Sequence, residues 1–259
     1  MAIRIVLANR KGGVGKTTTA VNLSANLSSM GYKVLVIDSD PQSNLTISFG
    51  INLSLQRSLA GVFEDSCAIQ DAILNCYPNL DIVPSTPELE KAIESGYVAN
   101  HLRKNEIIKF KLRDVESAYD FIIMDTPPTK SILTMNSLAI ADYVIIPVML
   151  EHFSIVGLKQ MHDVIMEVRA QWLNASISLF GVLGTFYQET RNCKEHLAII
   201  NSSMFKDYLF TSRIRRNVTL SESVSKGTPI IHFNKHCHGY EDYDAFTREF
   251  LRRIEEKGA

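Results

Sequence analysis

The sequence predicts an α/β fold in which a doubly wound, mostly parallel sheet carries helices on both faces. Two observations lead to this prediction: short apolar runs alternate with amphipathic stretches along the chain, and a glycine-rich segment joins the first run to the first helical stretch. The chain has 259 residues, 46% of them hydrophobic, which is enough to bury a full core. No low-complexity linker or internal repeat divides it, so we expect one domain over residues 1–259.

Seven short apolar runs are rich in Val and Ile and mostly lack polar alternation, a pattern typical of strands that are covered on both faces. They span residues 3–8, 34–37, 80–83, 121–124, 144–148, 180–183 and 230–233. In a doubly wound sheet, ligands bind where parallel strands reach their carboxyl ends. We therefore expect the functional site at that edge.

Helical stretches lie between the apolar runs. The first is predicted over residues 17–30 and is closed by Gly31. Another begins at residues 85–88, where Ser-Thr-Pro-Glu offers a cap, an early proline and a possible capping box. A third extends from about Ser154 to Trp172. Strand–helix alternation of this kind predicts the parallel sheet.

Composition excludes several classes of protein. The formal net charge of −1 excludes a globally basic nucleic-acid binder, so any such contact requires a local patch. Apolar runs fall short of the ~18–20 residues of a membrane span, and the N-terminus begins a strand instead of a signal peptide. We expect a cytoplasmic chain with no helix-turn-helix domain before the first strand. The cysteines lack C-x-x-C spacing and are interpreted as reduced thiols. They are Cys67, Cys76, Cys193 and Cys237.

The glycine-rich segment, residues 9–19, reads N-R-K-G-G-V-G-K-T-T-T and follows the first apolar run. Glycines let successive backbone N–H groups converge on phosphate oxygens, and the helix N-terminus adds donors and partial positive charge. Lys16 can reach the β- and γ-phosphates, and the Thr17 hydroxyl can hold Mg²⁺. The usual G-x-x-x-x-G-K-[ST] pattern fails because Arg10 replaces its first glycine, and a second lysine, Lys11, follows. The segment predicts binding and hydrolysis of ATP.

Eight residues of this loop are predicted to bind the nucleotide. They are Lys11, Gly12, Gly13, Val14, Gly15, Lys16, Thr17 and Thr18.

Two apolar runs end in carboxylates. The run at 34–37 is followed by Asp38 and Asp40, and the run at 121–124 by Asp125. Beside a phosphate loop, such carboxylates can orient Mg²⁺ or polarise an attacking water. Asp125 also fits a Walker B strand, whose carboxylate holds the Mg²⁺ shell. Either run alone could end in a simple turn or cap, but both lie downstream of the loop in the expected order.

These segments resemble the ParA/Soj branch of the ParA–MinD ATPases, which carry a deviant Walker A motif. The resemblance is carried by K-G-G-V-G-K-T-T at 11–18, D-S-D-P-Q at 38–42 and I-I-M-D-T-P-P at 122–128. Two later segments extend it, V-I-I-P-V at 144–148 and R-N-V-T-L-S-E at 216–222. It spans about residues 2–231, nearly the whole chain.

The resemblance implies a role for each residue. Lys16 would contact phosphate within its own subunit, and Lys11 would reach the nucleotide of the partner subunit in an ATP-bound homodimer. A cation supplied from a partner can stabilise transition-state charge as an arginine finger does. Asp40 would position the hydrolytic water, Asp38 would support the Mg²⁺ environment, and Asp125 would hold the metal through water. The predicted metal residues are thus Thr17, Asp38 and Asp125, and the catalytic residues Lys11, Lys16 and Asp40.

A cluster of arginines at 213–216 can make phosphate contacts that do not read base sequence. In ParA-like proteins, basic residues in this region bind double-stranded DNA nonspecifically once the ATP dimer forms. We expect Arg216, then Arg215, then Arg213 to contact DNA. Arg215 stands where the family usually has proline, which leaves the adenine contacts open. The competing interpretation is a solvated face with intramolecular ion pairs.

The implied function is DNA partition: ATP-driven dimerisation on DNA, then release when a ParB-like centromere-binding protein stimulates hydrolysis. Alternatives are a MinD-like ATPase acting on a membrane, or a relative that positions a protein cargo. The tail places Phe246, Phe250 and Ile254 on one narrow helical face, which favours core packing over membrane binding. A redox relative with a bridging iron–sulfur cluster would need a cysteine pair, which is lacking. The His/Cys-rich stretch 232–238 matches no common zinc spacing.

Overall fold

The computed structural model describes residues 2–153 and 155–258, whose eight strands form one sheet. The strands are β1 (Ile3–Leu7), β2 (Val34–Asp38), β3 (Leu74–Tyr77), β4 (Leu80–Val83), β5 (Phe121–Asp125), β6 (Tyr143–Met149), β7 (Ser178–Tyr187) and β8 (Leu209–Arg215). Their spatial order is β3-β4-β2-β5-β1-β6-β7-β8. Every neighbouring pair is parallel except β3 with β4. The predicted fold class is confirmed.

Helices connect the strands. Those of the first half are α1 (Lys16–Ser29), α2 (Asn44–Ser48), α3 (Leu59–Phe63), α4 (Ile69–Ala72), α5 (Glu88–Glu94), α6 (Gly96–Asn100) and α7 (Ile107–Lys111). Those of the second half are α8 (Ile132–Ile140), α9 (Ile155–Ala170), α10 (Arg191–Asn201), α11 (Val218–Ser225), α12 (Ile230–Phe233) and α13 (His238–Gly258). Short 3₁₀ turns lie at Leu112–Asp114, Glu116–Ala118, Leu150–His152 and Lys206–Tyr208.

The sheet has a buried apolar cluster on each face, because successive side chains of a strand point to opposite sides. In β1, Val6 belongs to one cluster together with Leu158 of α9. The next residue, Leu7, belongs to the other cluster, together with Leu23 of α1 and Phe246 of α13. Both faces of the central strands are therefore covered, which explains their continuous apolar sequences.

The three predicted helices are present, with ends that lie one to three residues from the predicted ones. The first is α1, and Gly31 follows it with φ of 95°. The second, α5, begins only at Glu88, and no side chain of the described residues caps its N-terminus. The third is α9, and the predicted starting residue Ser154 lies outside the described residues.

One predicted strand is wrong and two strands were missed. Residues 230–233 form α12, a single helical turn in which the Ile230 N–H donates to Asn22 Oδ1 of α1 (2.9 Å). A four-residue apolar run does not distinguish a strand from a buried helical turn. The two missed strands, β3 and β8, lie at the two edges of the sheet. Each is only partly buried and carries polar residues, so neither gives an apolar run.

Side chains of α13 cover the outer edge of β8. The Glu249 carboxylate accepts hydrogen bonds from the backbone N–H groups of Thr211 (2.9 Å) and Ser212 (2.7 Å). Arg253 donates to the carbonyl of Leu209 (2.7 Å). These side chains satisfy backbone groups that would otherwise be open at a sheet edge.

The apolar face of α13 is used inside the fold. Phe246 and Phe250 are fully buried, and Ile254 packs partly buried against the same cluster. The interpretation of the tail as a core-packing helix is confirmed. Across residues 2–153 and 155–258, no helix has the length and apolar character needed to cross a membrane.

Candidate functional site

The glycine-rich loop lies between β1 and α1, at the carboxyl edge of the sheet. Gly13 and Gly15 have φ values of 70° and 88°, which side-chain-bearing residues rarely adopt. Asn9 holds the start of the loop, because its amide donates to the Pro147 carbonyl (2.7 Å) and its Oδ1 accepts from the Lys11 N–H (3.0 Å). The loop is therefore fixed in the curled form that the sequence predicts.

Lys16 opens α1, and its side chain is largely buried. Burial lowers its pKa, while the carboxylates of Asp125 and Asp40 oppose that change. Lys16 forms no ion pair with the described residues, and a buried lysine near two carboxylates is suited to receive a polyanion such as a phosphate chain.

Thr17 and Asp125 meet at the centre of the site. The Thr17 hydroxyl donates to Asp125 Oδ2 at 2.5 Å. Asp125 ends β5 and is fully buried, and its second oxygen, Oδ1, has no hydrogen-bond partner among residues 2–153 and 155–258. Burial, followed by repulsion from Asp38, raises the pKa of Asp125 to about 8. A buried carboxylate oxygen without a partner is costly, so this position is prepared for a cation or a water.

Asp38 lies beside Asp125, because the two residues are register partners in β2 and β5. Its Oδ2 accepts from both the N–H and the hydroxyl of Thr46, and its Oδ1 accepts from the Asp40 N–H. Burial raises its pKa to about 6. Asp38 is therefore held by the protein, which fits a supporting role near the metal. The sequence interpretation missed Thr46, whose contribution depends on a contact eight residues away.

Asp40 follows β2 and is half-buried. Its Oδ1 accepts a hydrogen bond from the Gln42 N–H at 3.0 Å, which fixes the carboxylate near the end of β2. The position agrees with a residue that orients water at the mouth of the site.

The residues present fit a magnesium ion that is completed by a nucleotide. Among residues 2–153 and 155–258, no three His, Cys, Asp or Glu side chains converge to hold a metal by themselves. Mg²⁺ is commonly held by one or two protein groups together with substrate phosphates and waters. Thr17 Oγ1 and the free Oδ1 of Asp125 supply such groups next to the phosphate loop.

A cavity of about 230 Å³ adjoins the phosphate loop on its β7–β8 side. Its walls combine apolar side chains with a few polar groups, which is the usual character of a small-molecule pocket. They are Gly15, Thr18, Thr185, Phe186, Ile214, Arg215, Asn217, Leu220, Ser221, Val224 and Tyr243. The sequence interpretation left most of these residues without a role, because they come from four distant segments. Three of them, Asn217, Leu220 and Ser221, lie in the segment 216–222 that extends the family resemblance.

Thr185 joins this cavity to the loop. Its hydroxyl lies 2.9 Å from the Val14 carbonyl and 3.0 Å from the Val148 carbonyl. One β7 side chain thus ties the phosphate loop to the end of β6.

The structure separates the three arginines predicted to bind DNA. Arg215 lines the cavity, and its guanidinium binds Asp242 (2.7 Å) and Glu241 (3.0 Å). Arg213 lies 5.1 Å above the Tyr187 ring, and its buried Nε has no hydrogen-bond partner in the part of the chain that the structure describes.

Arg216 is the most exposed of the three. Its side chain is 61% exposed and forms an ion pair with Glu151 at 3.2 Å. Two of the three arginines are thus neutralised by carboxylates of the same chain, as the competing interpretation of intramolecular pairing predicts.

Lys11 extends away from the phosphate loop. Its Nζ donates to the carbonyl of His152 at 2.9 Å. Lys11 and Lys16, five positions apart, therefore have separate environments, one exposed and one buried.

The histidine-rich stretch has structural contacts. His232 stacks on Tyr77 at a ring distance of 4.4 Å, and His238 pairs with Glu241. The Cys237 thiol donates to the Asn234 carbonyl.

Comparison with known proteins gives concordant matches. A family model described as an AAA domain matches residues 2–179. The chain is 34% identical to the chromosome partitioning protein ParA of Caulobacter vibrioides, covering 98% of this chain and 96% of that protein. It is 36% identical to the sporulation initiation inhibitor protein Soj of Bacillus subtilis, over 95% of this chain and 96% of that protein. It is 33% identical to the chromosome-partitioning ATPase Soj of Treponema pallidum, over 98% of both.

Solved structures agree on the fold. Cobyrinic acid a,c-diamide synthase from Mycobacterium smegmatis, with a bound ATP analogue and magnesium, has a TM-score of 0.85 at 25% identity over 99% of this chain and 97% of that chain. A plasmid partition protein from Borrelia burgdorferi bound to AMPPNP has a TM-score of 0.82 at 26% identity, over 99% of this chain and 100% of that chain.

These relatives are more than 30% identical to this chain over nearly its whole length. The phosphate loop, the paired carboxylates and the parallel sheet agree with that relationship. The chain belongs to the ParA/Soj family of partition ATPases.

Proposed function

We propose that this chain is a DNA-partition ATPase that uses ATP and Mg²⁺, with residues 1–259 acting as one ATPase domain. The observation that carries the proposal is the contact between Thr17 and Asp125, with an unpartnered carboxylate oxygen, at the end of a curled glycine loop. A magnesium–nucleotide complex requires donors for its phosphates and oxygen ligands for its metal. The loop with Lys16 supplies the donors, and Thr17 with Asp125 supplies the oxygens.

The nucleotide phosphates are bound by the backbone N–H groups of residues 11–18 and by Lys16. Thr17 and Asp125 would hold a magnesium ion, whose charge would neutralise negative charge that develops on the phosphates. Asp38 keeps its carboxylate beside them through its bonds to Thr46. Asp40 orients the attacking water, and its backbone-anchored carboxylate is suited to accept the water's proton.

The nucleobase occupies the cavity beside Gly15 and Thr18. Apolar walls from Phe186, Leu220 and Val224 cover its faces, and the polar rim fixes its orientation. Arg215 and its partner Asp242 form one wall, so the family's usual proline is replaced here by an ion pair that shapes the pocket.

ATP binding drives homodimerisation. Lys11 leaves the His152 carbonyl and contacts the phosphates of the partner subunit's nucleotide, because charged phosphate is a stronger acceptor than a neutral carbonyl. The γ-phosphate thus stabilises the dimer, and hydrolysis removes that stabilisation.

The dimer binds double-stranded DNA nonspecifically through Arg216 and Arg213, with Arg215 making a smaller contribution because two carboxylates engage it. Two copies of a modest patch bind more tightly than one, which makes DNA affinity depend on dimerisation. The site of action is the nucleoid, in the cytoplasm. A ParB-like protein at the centromere site stimulates hydrolysis and releases the dimer.

The test is binding to duplex DNA of random sequence at several salt concentrations, with ATP, ADP or no nucleotide. The wild type, Lys16→Ala and Arg216→Glu are compared, with Arg248→Glu as a control arginine on the exposed face of α13. We expect tight binding only with ATP and weak binding without it. The tight binding should be weakened by salt, lost in Lys16→Ala and Arg216→Glu, and retained in Arg248→Glu.

Normal ATP-driven dimerisation without DNA binding in any state would overturn the DNA component. The experiment would then move to vesicles of anionic lipid and to protein cargo, the two alternatives that share the same ATPase chemistry.

A further inference from the structure

The 3₁₀ turn Leu150–His152 follows β6 and contacts both the phosphate loop and the arginine cluster. Its first residue is anchored. Leu150 is fully buried, and its carbonyl lies 2.6 Å from Nδ1 of His196 in α10. A Cβ placed on Gly184 would come within 2.7 Å of a Leu150 methyl group, so β7 is shaped to receive this side chain. The start of the turn is therefore fixed to the sheet.

The last residue of the turn is held by Lys11. The hydrogen bond from Lys11 Nζ to the His152 carbonyl is 2.9 Å long and lies at the exposed side of the site. Within the part of the chain that the structure describes, Lys11 has no carboxylate within ion-pair distance. The His152 carbonyl oxygen is thus the acceptor that holds the Lys11 ammonium group in this conformation.

The middle residue of the turn engages the DNA-binding candidate. Glu151 Oε1 accepts from Arg216 Nη1 at 3.2 Å, and the Glu151 side chain is only 20% exposed, against 61% for Arg216. The backbone of Arg216 is fixed separately, because its N–H donates to the Tyr187 carbonyl at 3.1 Å. A carboxylate held by the turn therefore occupies a guanidinium that is otherwise turned to solvent.

We propose that the Leu150–His152 turn is an autoinhibitory contact that couples Lys11 to Arg216, an inference that rests on the proposed DNA-binding function. While Lys11 holds the His152 carbonyl, Glu151 stays against Arg216 and keeps it from DNA phosphates. Lys11 cannot bind the carbonyl and a nucleotide phosphate at the same time, and phosphate is the stronger acceptor. When Lys11 leaves, the turn pivots about Leu150 and Arg216 exchanges Glu151 for a DNA phosphate.

The test measures binding of a fluorescent random-sequence duplex, without nucleotide and with ATP, for wild type, Glu151→Gln and the control Glu189→Gln. Glu189 lies near the same strand ends, and its substitution removes the same charge, but it pairs with Lys194 instead of Arg216. We expect Glu151→Gln to bind DNA about two- to fivefold more tightly than wild type without nucleotide, the range covered by a single exposed ion pair. The gain should vanish in Glu151→Gln/Arg216→Ala, and Glu189→Gln should resemble wild type.

A second readout tests the Lys11 half of the contact. In Lys11→Ala without nucleotide, backbone hydrogen exchange at residues 150–153 should be faster than in wild type, because the tether on the His152 carbonyl is gone. ATP should produce the same acceleration in wild type.

The possible failures are distinguishable. If wild type binds DNA with ATP but Glu151→Gln equals Glu189→Gln, or if Lys11→Ala leaves exchange at 150–153 unchanged, the autoinhibitory contact is refuted and the DNA-binding function stands. If wild type binds no DNA in any nucleotide state, the DNA-binding function fails and this inference fails with it.

Discussion

The site has a phosphate side around Lys16 and Asp125 and an arginine side at residues 213–216. The two sides differ in whether their charges are compensated by the same chain. On the phosphate side, Lys16 and Asp125 are buried without full compensation, and one carboxylate oxygen has no partner. On the arginine side, Arg215 and Arg216 are paired with carboxylates of the same chain. The first region is built to receive a ligand and is destabilised without it. The second is already neutralised, so a ligand there must displace an existing partner.

The largest effect is expected on turnover from Asp40→Asn. The change keeps an acceptor for the Gln42 N–H but removes the charge that polarises water, so hydrolysis should fall about 10²- to 10⁴-fold, the usual contribution of a general base. Phosphate release measures the rate, and a fluorescent ATP analogue measures affinity. Full activity in this variant would remove Asp40 from the catalytic role.

Lys16→Ala should weaken ATP binding about 10- to 150-fold, because a charge-assisted hydrogen bond contributes about 1.5–3 kcal/mol. Titration calorimetry with ATP and with ADP measures the loss. Lys33→Ala, an exposed lysine outside the site, is the matched control and should bind as wild type. Equal affinities of Lys16→Ala and Lys33→Ala would contradict the assignment.

The pH dependence of stability tests the uncompensated charge on the phosphate side. The pKa of Asp125 is raised to about 8 in the fold, so the folded state binds more protons than the unfolded state between about pH 4 and 8. Stability without Mg²⁺ and nucleotide should therefore fall as pH rises through this window. Each displacement of a pKa by one between the folded and unfolded states changes the free energy of unfolding by about 1.4 kcal/mol. For a chain of this size, that change shifts the melting temperature by about 3 to 6 °C.

Asp125→Asn should remove most of this pH dependence and should melt at a higher temperature than wild type at pH 8 in the absence of ligand. Melting curves from pH 5 to 8 measure both. A wild-type melting temperature that rises over this range would show that Asp125 is ionised and compensated in the free protein.

Asp242→Asn tests the arginine side of the nucleotide site. Loss of the ion pair loosens the cavity wall formed by Arg215, and ATP and ADP should both bind about 2- to 12-fold more weakly, the range of one hydrogen bond. Equal effects on both nucleotides would place the contact at the base. An effect confined to ATP would place it at the γ-phosphate instead.

The smallest expected change is in the salt dependence of DNA binding. Removing one phosphate contact should reduce the slope of log affinity against log salt by about 0.9. We expect that reduction in Arg216→Ala and Arg213→Ala, with a smaller one in Arg215→Ala because Asp242 and Glu241 retain that side chain. Equal slopes in all three would show that the internal ion pair does not limit Arg215.

The two regions also differ in how far the sequence predicts them. The phosphate side comes from central parallel strands, whose unbroken apolar runs end in Asp38 and Asp125, and from a loop with three glycines among four residues. Both patterns are local, so the carboxylates and the loop were placed correctly at the carboxyl edge. The assigned chemical roles of these residues stay predictions.

The arginine side depends on contacts between distant segments. Edge strand β8 is only partly buried and mixes polar with apolar residues, so its sequence lacks a strand signal. The pairing of Arg215 with Asp242 joins residues 27 positions apart, and that of Arg216 with Glu151 joins residues 65 apart. No local pattern encodes such pairs, and the same holds for the cavity walls. The apolar run 230–233 was wrongly predicted as a strand, because an apolar sequence indicates burial but does not determine backbone geometry.

The covering of β8 by α13 has a consequence for assembly. A strand from a second copy could extend the sheet only by displacing Glu249 from two backbone N–H groups and Arg253 from the Leu209 carbonyl. Edge-to-edge growth, which joins exposed strands into fibres, is therefore blocked at this end of the sheet. In the DNA-bound state proposed above, where copies would lie at high local concentration, the sheet of each would stay closed to its neighbours at β8.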